Sequence, residues 1–219
     1  MPPPFPRRTR DGDPYADVRF LPGENDQPIE LAALFPSSPS DAPIELEIGG
    51  GRGAFAFERL AAAPEVVLLG FEIKRKWATI VDRKLHALGL AARGRCFAED
   101  ARIALPRLRP DGRVRAVFMH FPDPWWKKKH EKRLVLGDDV QEQIERLLTT
   151  GGELFVQTDV EHRAAQYRAF LDARPALRAK GERPGDPTLD ENPYGARSPR
   201  EKRAILDGIP IFRMRYEKP

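Results

Sequence analysis

Short apolar segments alternate with amphipathic segments from residue 44 to residue 173, and this alternation limits the possible folds more than any other feature of the sequence. Several apolar segments are continuous, such as residues 66–71, which is typical of parallel strands buried on both faces. Between them, residues 74–90 carry apolar side chains at near-helical spacing. The pattern predicts an α/β fold with a doubly wound, mostly parallel sheet, whose ligands bind at the carboxyl ends of the strands.

The positions of the apolar segments, of helix-capping residues and of glycines set the predicted elements. The predicted strands cover residues 44–48, 66–71, 95–99, 114–120, 153–158 and 211–216. The predicted helices cover residues 54–63, 74–90, 101–108 and 160–173, together with a helix that begins at Asp138 and ends before Gly151.

Ten of the 22 prolines lie in the first 43 residues. Because proline lacks a backbone N–H and blocks helix interiors, we expect residues 1–43 to be largely irregular and residues 44–219 to form one domain. Arg7, Arg8 and Arg10 make the beginning of the segment basic. That beginning is either a solvated tail or an arm that contacts nucleic acid.

Composition excludes several classes of protein. No apolar stretch approaches the ~20 residues of a membrane span, so we expect no membrane-spanning segment. The amino terminus has no apolar signal region, so we expect that the protein is not exported. The lone cysteine, Cys96, and four histidines without ligand spacing predict no metal site and a cytoplasmic location. The net charge of +4 permits a polyanionic partner. A monomer and a homodimer both remain open.

A glycine-rich loop follows the first predicted strand, with the sequence Glu47-Ile-Gly-Gly-Gly-Arg-Gly53. Such a loop lets the backbone approach a nucleotide cofactor, and its glycines fit either a dinucleotide or S-adenosylmethionine. Glu47, Glu72 and Asp100 end the first three strands. A pyrophosphate disfavours nearby carboxylates, whereas the ammonium and sulfonium cations of S-adenosylmethionine favour them. The sequence favours S-adenosylmethionine, and an NAD-linked oxidoreductase remains an alternative.

A second motif follows the fourth predicted strand, where Asp123 lies between two prolines and is followed by Trp125 and Trp126. Residues 127–133 then contain five lysines and arginines. Such a run attracts phosphates, and the tryptophan rings offer faces for base stacking. Because the two prolines hold it rigidly at the carboxyl end of a central strand, we expect the Asp123 carboxylate to lie beside the cofactor. A non-catalytic RNA-binding module is a second alternative.

With these motifs the sequence resembles the bacterial tRNA (guanine-N7-)-methyltransferase family over about residues 44–217. The proline-bracketed motif is specific to that family, and the glycine loop is generic. The chain departs from the family at Trp126, where proline is frequent. It also has Ser198-Pro-Arg-Glu201 where the family has Thr-x-(aromatic)-Glu. The matching segments are Glu47-Ile-Gly-x-Gly-x-Gly, Gly70-Phe-Glu72, Phe121-Pro-Asp-Pro-Trp-x-Lys-Lys-x-His130 and Thr158-Asp159.

The resemblance implies a Rossmann-like class I methyltransferase fold for residues 44–219. It also implies methyl transfer from S-adenosylmethionine to N7 of a guanine in the variable loop of tRNA, as a step of tRNA modification. Asp123 is implied as catalytic. The cofactor-binding residues are Glu47, Gly49, Gly51, Glu72, Asp100 and Asp123, and the substrate-binding residues are Lys127, Asp159, Ser198 and Glu201.

Overall fold

The centre of the protein is a twisted sheet with helices on both faces. The computed structural model describes residues 12–122 and 136–219. Numbered along the chain, its strands are β1 (Ile29–Glu30), β2 (Ile44–Ile48), β3 (Val67–Phe71), β4 (Gly94–Phe97), β5 (Leu108–Arg109), β6 (Val114–His120), β7 (Leu148–Thr158), β8 (Arg178–Ala179), β9 (Thr188–Leu189) and β10 (Phe212–Glu217). Its α-helices are α1 (Ala54–Ala62), α2 (Arg75–Ala87), α3 (Ala101–Ala104), α4 (Asp138–Leu147), α5 (Glu161–Asp172) and α6 (Pro199–Leu206).

The main sheet has the order β4-β3-β2-β6-β7-β10-β8, and β9 pairs with β10 at the same end. β4, β3, β2, β6 and β7 are mutually parallel, while β10 is antiparallel to β7. Within this sheet the chain enters at β2 in the middle, continues outward through β3 to β4, and then crosses to β6 on the other side of β2. The prediction of a doubly wound, mostly parallel sheet is confirmed.

Each face of the sheet is covered by its own set of helices. α1 and α2 pack on one face, where Phe55 of α1 contacts Phe118 of β6 with ring centroids 4.7 Å apart. α3, α4 and α5 cover the other face, where Ile144 of α4 is fully buried. Because every parallel strand is sandwiched, β2 and β3 are buried along their whole length. This explains their continuous apolar sequences.

Regular structure in residues 12–43 is limited to β1 and a 3₁₀-helix at Leu31–Leu34. The segment is nevertheless anchored to the domain. The side chains of Leu21, Leu31 and Phe35 are at most 4% exposed and belong to the core. The guanidinium of Arg107, itself 3% exposed, donates to the backbone carbonyls of Pro22 and Gln27. The division at residue 43 therefore reflects composition, while packing continues across it.

Several features differ from the predicted elements. The helix predicted over residues 101–108 is α-helical only at Ala101–Ala104 and continues as a 3₁₀-helix at Leu105–Arg107. β7 begins at Leu148 and passes through the glycines expected to end the preceding helix, because the backbone of Gly151 and Gly152 pairs with Lys218. Helix α6 was not predicted. Ser198 caps it, with Oγ accepting from the backbone N–H of Glu201 at 3.2 Å, and proline occupies its first position. None of the helices in the two described ranges is long and apolar enough to cross a lipid bilayer.

Candidate functional site

A cavity of about 500 Å³ lies at the carboxyl edge of the parallel strands. Its volume falls within the range typical of cofactor and substrate sites, about 300–1,000 Å³. Strands β2, β6 and β7 end beside it, as expected for a ligand site in an open parallel sheet. The lining residues are Glu47, Gly49, Gly50, Gly51, Arg52, His120, Phe121, Pro122, Thr158, Asp159, Val160, Arg163, Ser198, Pro199 and Arg200.

Glu47 is a buried carboxyl group at the cavity wall. It lies near the end of β2 and is 2% exposed. Burial, with a contribution from the nearby charge of Glu72, raises the pKa of Glu47 to about 8. Its side chain has no hydrogen-bond donor among residues 12–122 and 136–219. A buried carboxylate without a donor or counter-charge is unfavourable, so this position favours a cationic ligand.

The glycine loop presents bare backbone to the cavity. Gly49 and Gly51 have φ values of 76° and 55°, and a Cβ built on either would meet no atom within 4 Å. Gly50 is constrained in a different way, because a Cβ there would lie 2.7 Å from Oε2 of Glu47. The loop therefore forms a cradle that side chains would fill, and its middle glycine lets the chain pass over the Glu47 carboxyl.

Glu72 and Asp100 follow β3 and β4, and neither lines the cavity. Glu72 holds the glycine loop in place, since its carboxylate accepts from the backbone N–H of Gly51 at 2.9 Å and of Lys74 at 2.8 Å. Asp100 caps α3 by accepting from the N–H of Arg102 at 3.0 Å, and it forms an ion pair with the Arg102 guanidinium. Both carboxylates thus have protein partners at the same edge of the sheet.

The turn after β6, at Phe121 and Pro122, directly precedes the predicted catalytic residue in the sequence. Phe121 has a φ of 50°, and no other non-glycine residue in the described part of the chain has a positive φ. The backbone N–H of Phe121 donates to the carbonyl of Gln157 at 2.7 Å, and the hydroxyl of Tyr167 donates to the carbonyl of Pro122 at 3.1 Å. A bulky residue in this conformation is strained, and such strain is frequent at functional sites. Asp123 follows at once and, like Lys127, lies outside the described residues.

The predicted substrate-binding residues that are described have different environments. Asp159 follows β7, lines the cavity and forms an ion pair with Arg200 at the start of α6. Ser198 lines the cavity as the cap of α6. Glu201 does not line it. The Glu201 side chain is fully buried, and its carboxylate accepts from Asn192 at 3.0 Å, from Gln157 at 2.9 Å and from Arg213 at 3.3 Å.

Sequence analysis did not single out His120, Arg163 and Arg200, which also line the cavity. His120 is 8% exposed, and burial lowers its pKa to about 3. Its Nδ1 lies 2.9 Å from Nε2 of Gln157 on the neighbouring strand. A polar residue at the carboxyl end of an apolar strand is a signal that could have identified it. In the described ranges, no group of three or more His, Cys, Asp or Glu side chains is arranged to hold a metal ion.

Comparison with known proteins relates this arrangement to a family. A family described as "Putative methyltransferase" matches residues 41–214. A protein of Myxococcus xanthus called tRNA (guanine-N(7)-)-methyltransferase is 33% identical over 212 residues, which cover 92% of this chain and 98% of the relative. The chain belongs to the tRNA (guanine-N(7)-)-methyltransferase family. Another relative with that name, from Anaeromyxobacter dehalogenans, is 38% identical over 176 residues, covering 80% of this chain and 85% of the relative.

Solved structures of other methyltransferases share the fold of this member of the tRNA (guanine-N(7)-)-methyltransferase family. TrmN from Thermus thermophilus aligns with a TM-score of 0.56 at 21% identity, covering 86% of this chain and 47% of TrmN. A SAM-dependent O-methyltransferase from Thermotoga maritima aligns with a TM-score of 0.50 at 16% identity, covering 86% of this chain and 63% of that protein. The predicted Rossmann-like methyltransferase fold is confirmed.

Proposed function

We propose that this protein transfers the methyl group of S-adenosylmethionine to N7 of a guanine in the variable loop of tRNA. The observation that supports this most directly is the buried Glu47 carboxyl at the cavity wall, beside a bare glycine loop. We place the activity in the cytoplasm, as a step of tRNA modification.

The residues present fit S-adenosylmethionine better than a dinucleotide. A cationic ligand would stabilise the ionised form of Glu47 and so restore its charge, whereas a pyrophosphate would gain no counter-charge from this carboxyl. Gly49 and Gly51 leave room for the ligand against the backbone. We assign the remaining cofactor contacts to Glu72, Asp100 and Asp123. In this proposal the Asp100 carboxylate binds the ligand either alongside Arg102 or after its ion pair with Arg102 has opened.

The chemistry requires positioning more than proton transfer. When bound, S-adenosylmethionine supplies an electrophilic methyl group on a sulfonium sulfur. Guanine N7 carries a lone pair and no proton, so the attack needs no general base. The protein has to hold the base in line, and orientation alone can contribute roughly 7–11 kcal/mol. Asp123 would stabilise the positive charge that develops on the purine.

We assign RNA binding to two groups of residues. The basic run at residues 127–133 would bind phosphates. At the cavity, Asp159, Arg163 and Ser198 would contact the target nucleotide. Glu201 would act from within the protein, because its carboxylate is occupied by internal donors and can position Gln157 and α6. A base in a loop is preferred, since it is accessible without opening a duplex.

The test is methyl transfer from labelled S-adenosylmethionine to an unmodified tRNA transcript, followed by mapping of the methylated base. We expect label at a variable-loop guanine, and none when that guanine is replaced by 7-deazaguanine, which has carbon in place of N7. Label on the 7-deaza transcript would exclude N7 as the acceptor. Calorimetric titration with NAD and with S-adenosylmethionine separates the oxidoreductase alternative.

A matched variant tests the assignment of Asp123. Asp123→Asn keeps the size of the side chain and removes its charge, so we expect transfer to fall by about a hundredfold or more while tRNA binding is retained. Filter binding measures the second quantity. An equal loss of binding and transfer would contradict a catalytic role, and full activity would favour a site elsewhere.

A further inference from the structure

His120 has a nitrogen atom for which the described part of the protein offers no partner. The residue ends β6 and lines the cavity between the glycine loop and α6. Its ring packs against Phe55 with centroids 4.1 Å apart. Nε2 is buried, and it neither accepts a hydrogen bond from nor donates one to any group in residues 12–122 and 136–219. Leaving such an atom unsatisfied costs about 1–3 kcal/mol, so its place at a ligand cavity indicates a ligand partner.

The neighbouring hydrogen bonds determine which nitrogen carries the proton. Nε2 of Gln157 lies 2.9 Å from Oε2 of Glu201 and 2.9 Å from Nδ1 of His120. The Glu201 carboxylate, which is paired with Arg213, can only accept, so Gln157 must direct its amide N–H₂ toward it. The second amide hydrogen then points at Nδ1 of His120, which therefore acts as the acceptor.

The His120 ring is neutral, because burial holds its pKa far below 7. A neutral imidazole has one N–H, and with Nδ1 accepting, that hydrogen resides on Nε2. This tautomer is assigned from the hydrogen-bond network. The chain Glu201–Gln157–His120 thus fixes the position of the ring hydrogen on a residue that lines the cavity, and it begins on α6 and ends on β6.

We propose that Nε2–H of His120 donates a hydrogen bond to O6 of the target guanine and thereby selects guanine over adenine. The assignment rests on the proposed function. The edge of guanine that carries N7 also carries O6, so it presents two acceptors, whereas adenine has an amino donor in place of O6. A donor at O6 leaves the N7 lone pair free for methyl transfer. Adenine would instead place its amino group against the imidazole N–H.

The experiment compares two transcripts that differ at the target base, one with guanine and one with 2-aminopurine, which keeps N7 and lacks O6. The values of kcat/KM are measured for wild type, His120→Phe and His120→Gln. Phenylalanine keeps the packing against Phe55 and removes the donor, so the preference for guanine should fall about ten- to a hundredfold. Glutamine places an amide N–H near the position of Nε2 and should restore most of the preference.

Each outcome decides the assignment. The assignment would be overturned if His120→Phe kept the wild-type preference for guanine. It would also be overturned if His120→Phe bound S-adenosylmethionine more weakly while that preference stayed unchanged. If His120→Phe does not fold by circular dichroism, Gln157→Leu makes the same test, because it removes the amide that fixes the tautomer. A reduced preference in Gln157→Leu supports the assignment, and an unchanged one overturns it. Wild-type protein that methylates neither transcript would overturn the proposed function itself, and the assignment with it.

Discussion

Replacing Glu47 with glutamine tests the electrostatic basis of the cofactor site. The pKa of Glu47 rises from 4.5 to about 8, mainly because the carboxyl is buried. The folded protein therefore keeps this proton to about pH 8, whereas the unfolded chain loses it near pH 4.5. The stability that this group contributes is complete below pH 4.5 and is lost as the pH rises through 8. At 1.36 kcal/mol per pH unit, the free energy of unfolding falls by about 3 kcal/mol between pH 5 and pH 7.5.

Glu47→Gln has no proton to lose, so it should escape this fall. In urea unfolding without cofactor, the variant should gain about 3 kcal/mol on wild type between pH 5 and pH 7.5. Glu142→Gln, at an exposed position of α4, is the matched control and should stay within about 0.5 kcal/mol of wild type. A constant difference between Glu47→Gln and wild type across this range would refute the argument.

Cofactor binding gives a second measurement on the same residue. At pH 7 a group with a pKa near 8 is about nine-tenths protonated, and a cationic ligand should expel that proton. Calorimetry of S-adenosylmethionine binding in buffers of different ionisation enthalpy should therefore show release of about 0.9 proton from Glu47 in wild type. Glu47→Gln should bind at least about tenfold more weakly and lack this release. Tight binding by the variant would separate Glu47 from the cofactor.

Three further substitutions test other parts of the structure. Gly50→Ala places a methyl group 2.7 Å from the Glu47 carboxyl, so S-adenosylmethionine should bind about tenfold more weakly in a titration, while a change only in the free energy of unfolding would contradict the cradle. Glu201→Gln leaves the buried Arg213 without its charge partner and should lower the free energy of unfolding in urea by about 3 kcal/mol. Arg203→Ala removes an exposed ion pair and should lower it by less than about 1 kcal/mol. Equal losses would refute the distinction between buried and exposed pairs. Arg107→Ala should cost about 2 kcal/mol and speed hydrogen exchange in residues 20–30, and protection that stays as in wild type would exclude its anchoring role.

Most of the fold could be predicted because its strands are buried on both faces. Such strands are continuous apolar segments bounded by turns, and the strands predicted over residues 44–48 and 114–120 have the same ends as β2 and β6. Prediction failed where tertiary contacts override local preference. The glycines that should end a helix extend β7 instead, because the carboxyl end of the chain pairs with them. Helix α6 could have been found, since Ser198, Pro199 and Glu201 form a capping pattern.

The candidate site shows the same division. Glu47 and the glycine loop lie together at the cavity because they adjoin in sequence and follow one strand. The environment of Glu201 could not be predicted, since its partners Gln157, Asn192 and Arg213 come from separate elements and meet only in the folded protein. The same holds for His120, whose tautomer depends on a residue in the next strand.

The anchoring of residues 12–43 has a consequence for how the protein is made. Arg107 binds the carbonyl of Pro22 across 85 positions, and β1 pairs with β5, so the docking site of the first segment is synthesised long after the segment itself. During synthesis, the apolar side chains of that segment lack this docking site until Arg107 and β5 have left the ribosome. Contacts of such long range slow folding, because the chain between the two partners has to be ordered before they can meet.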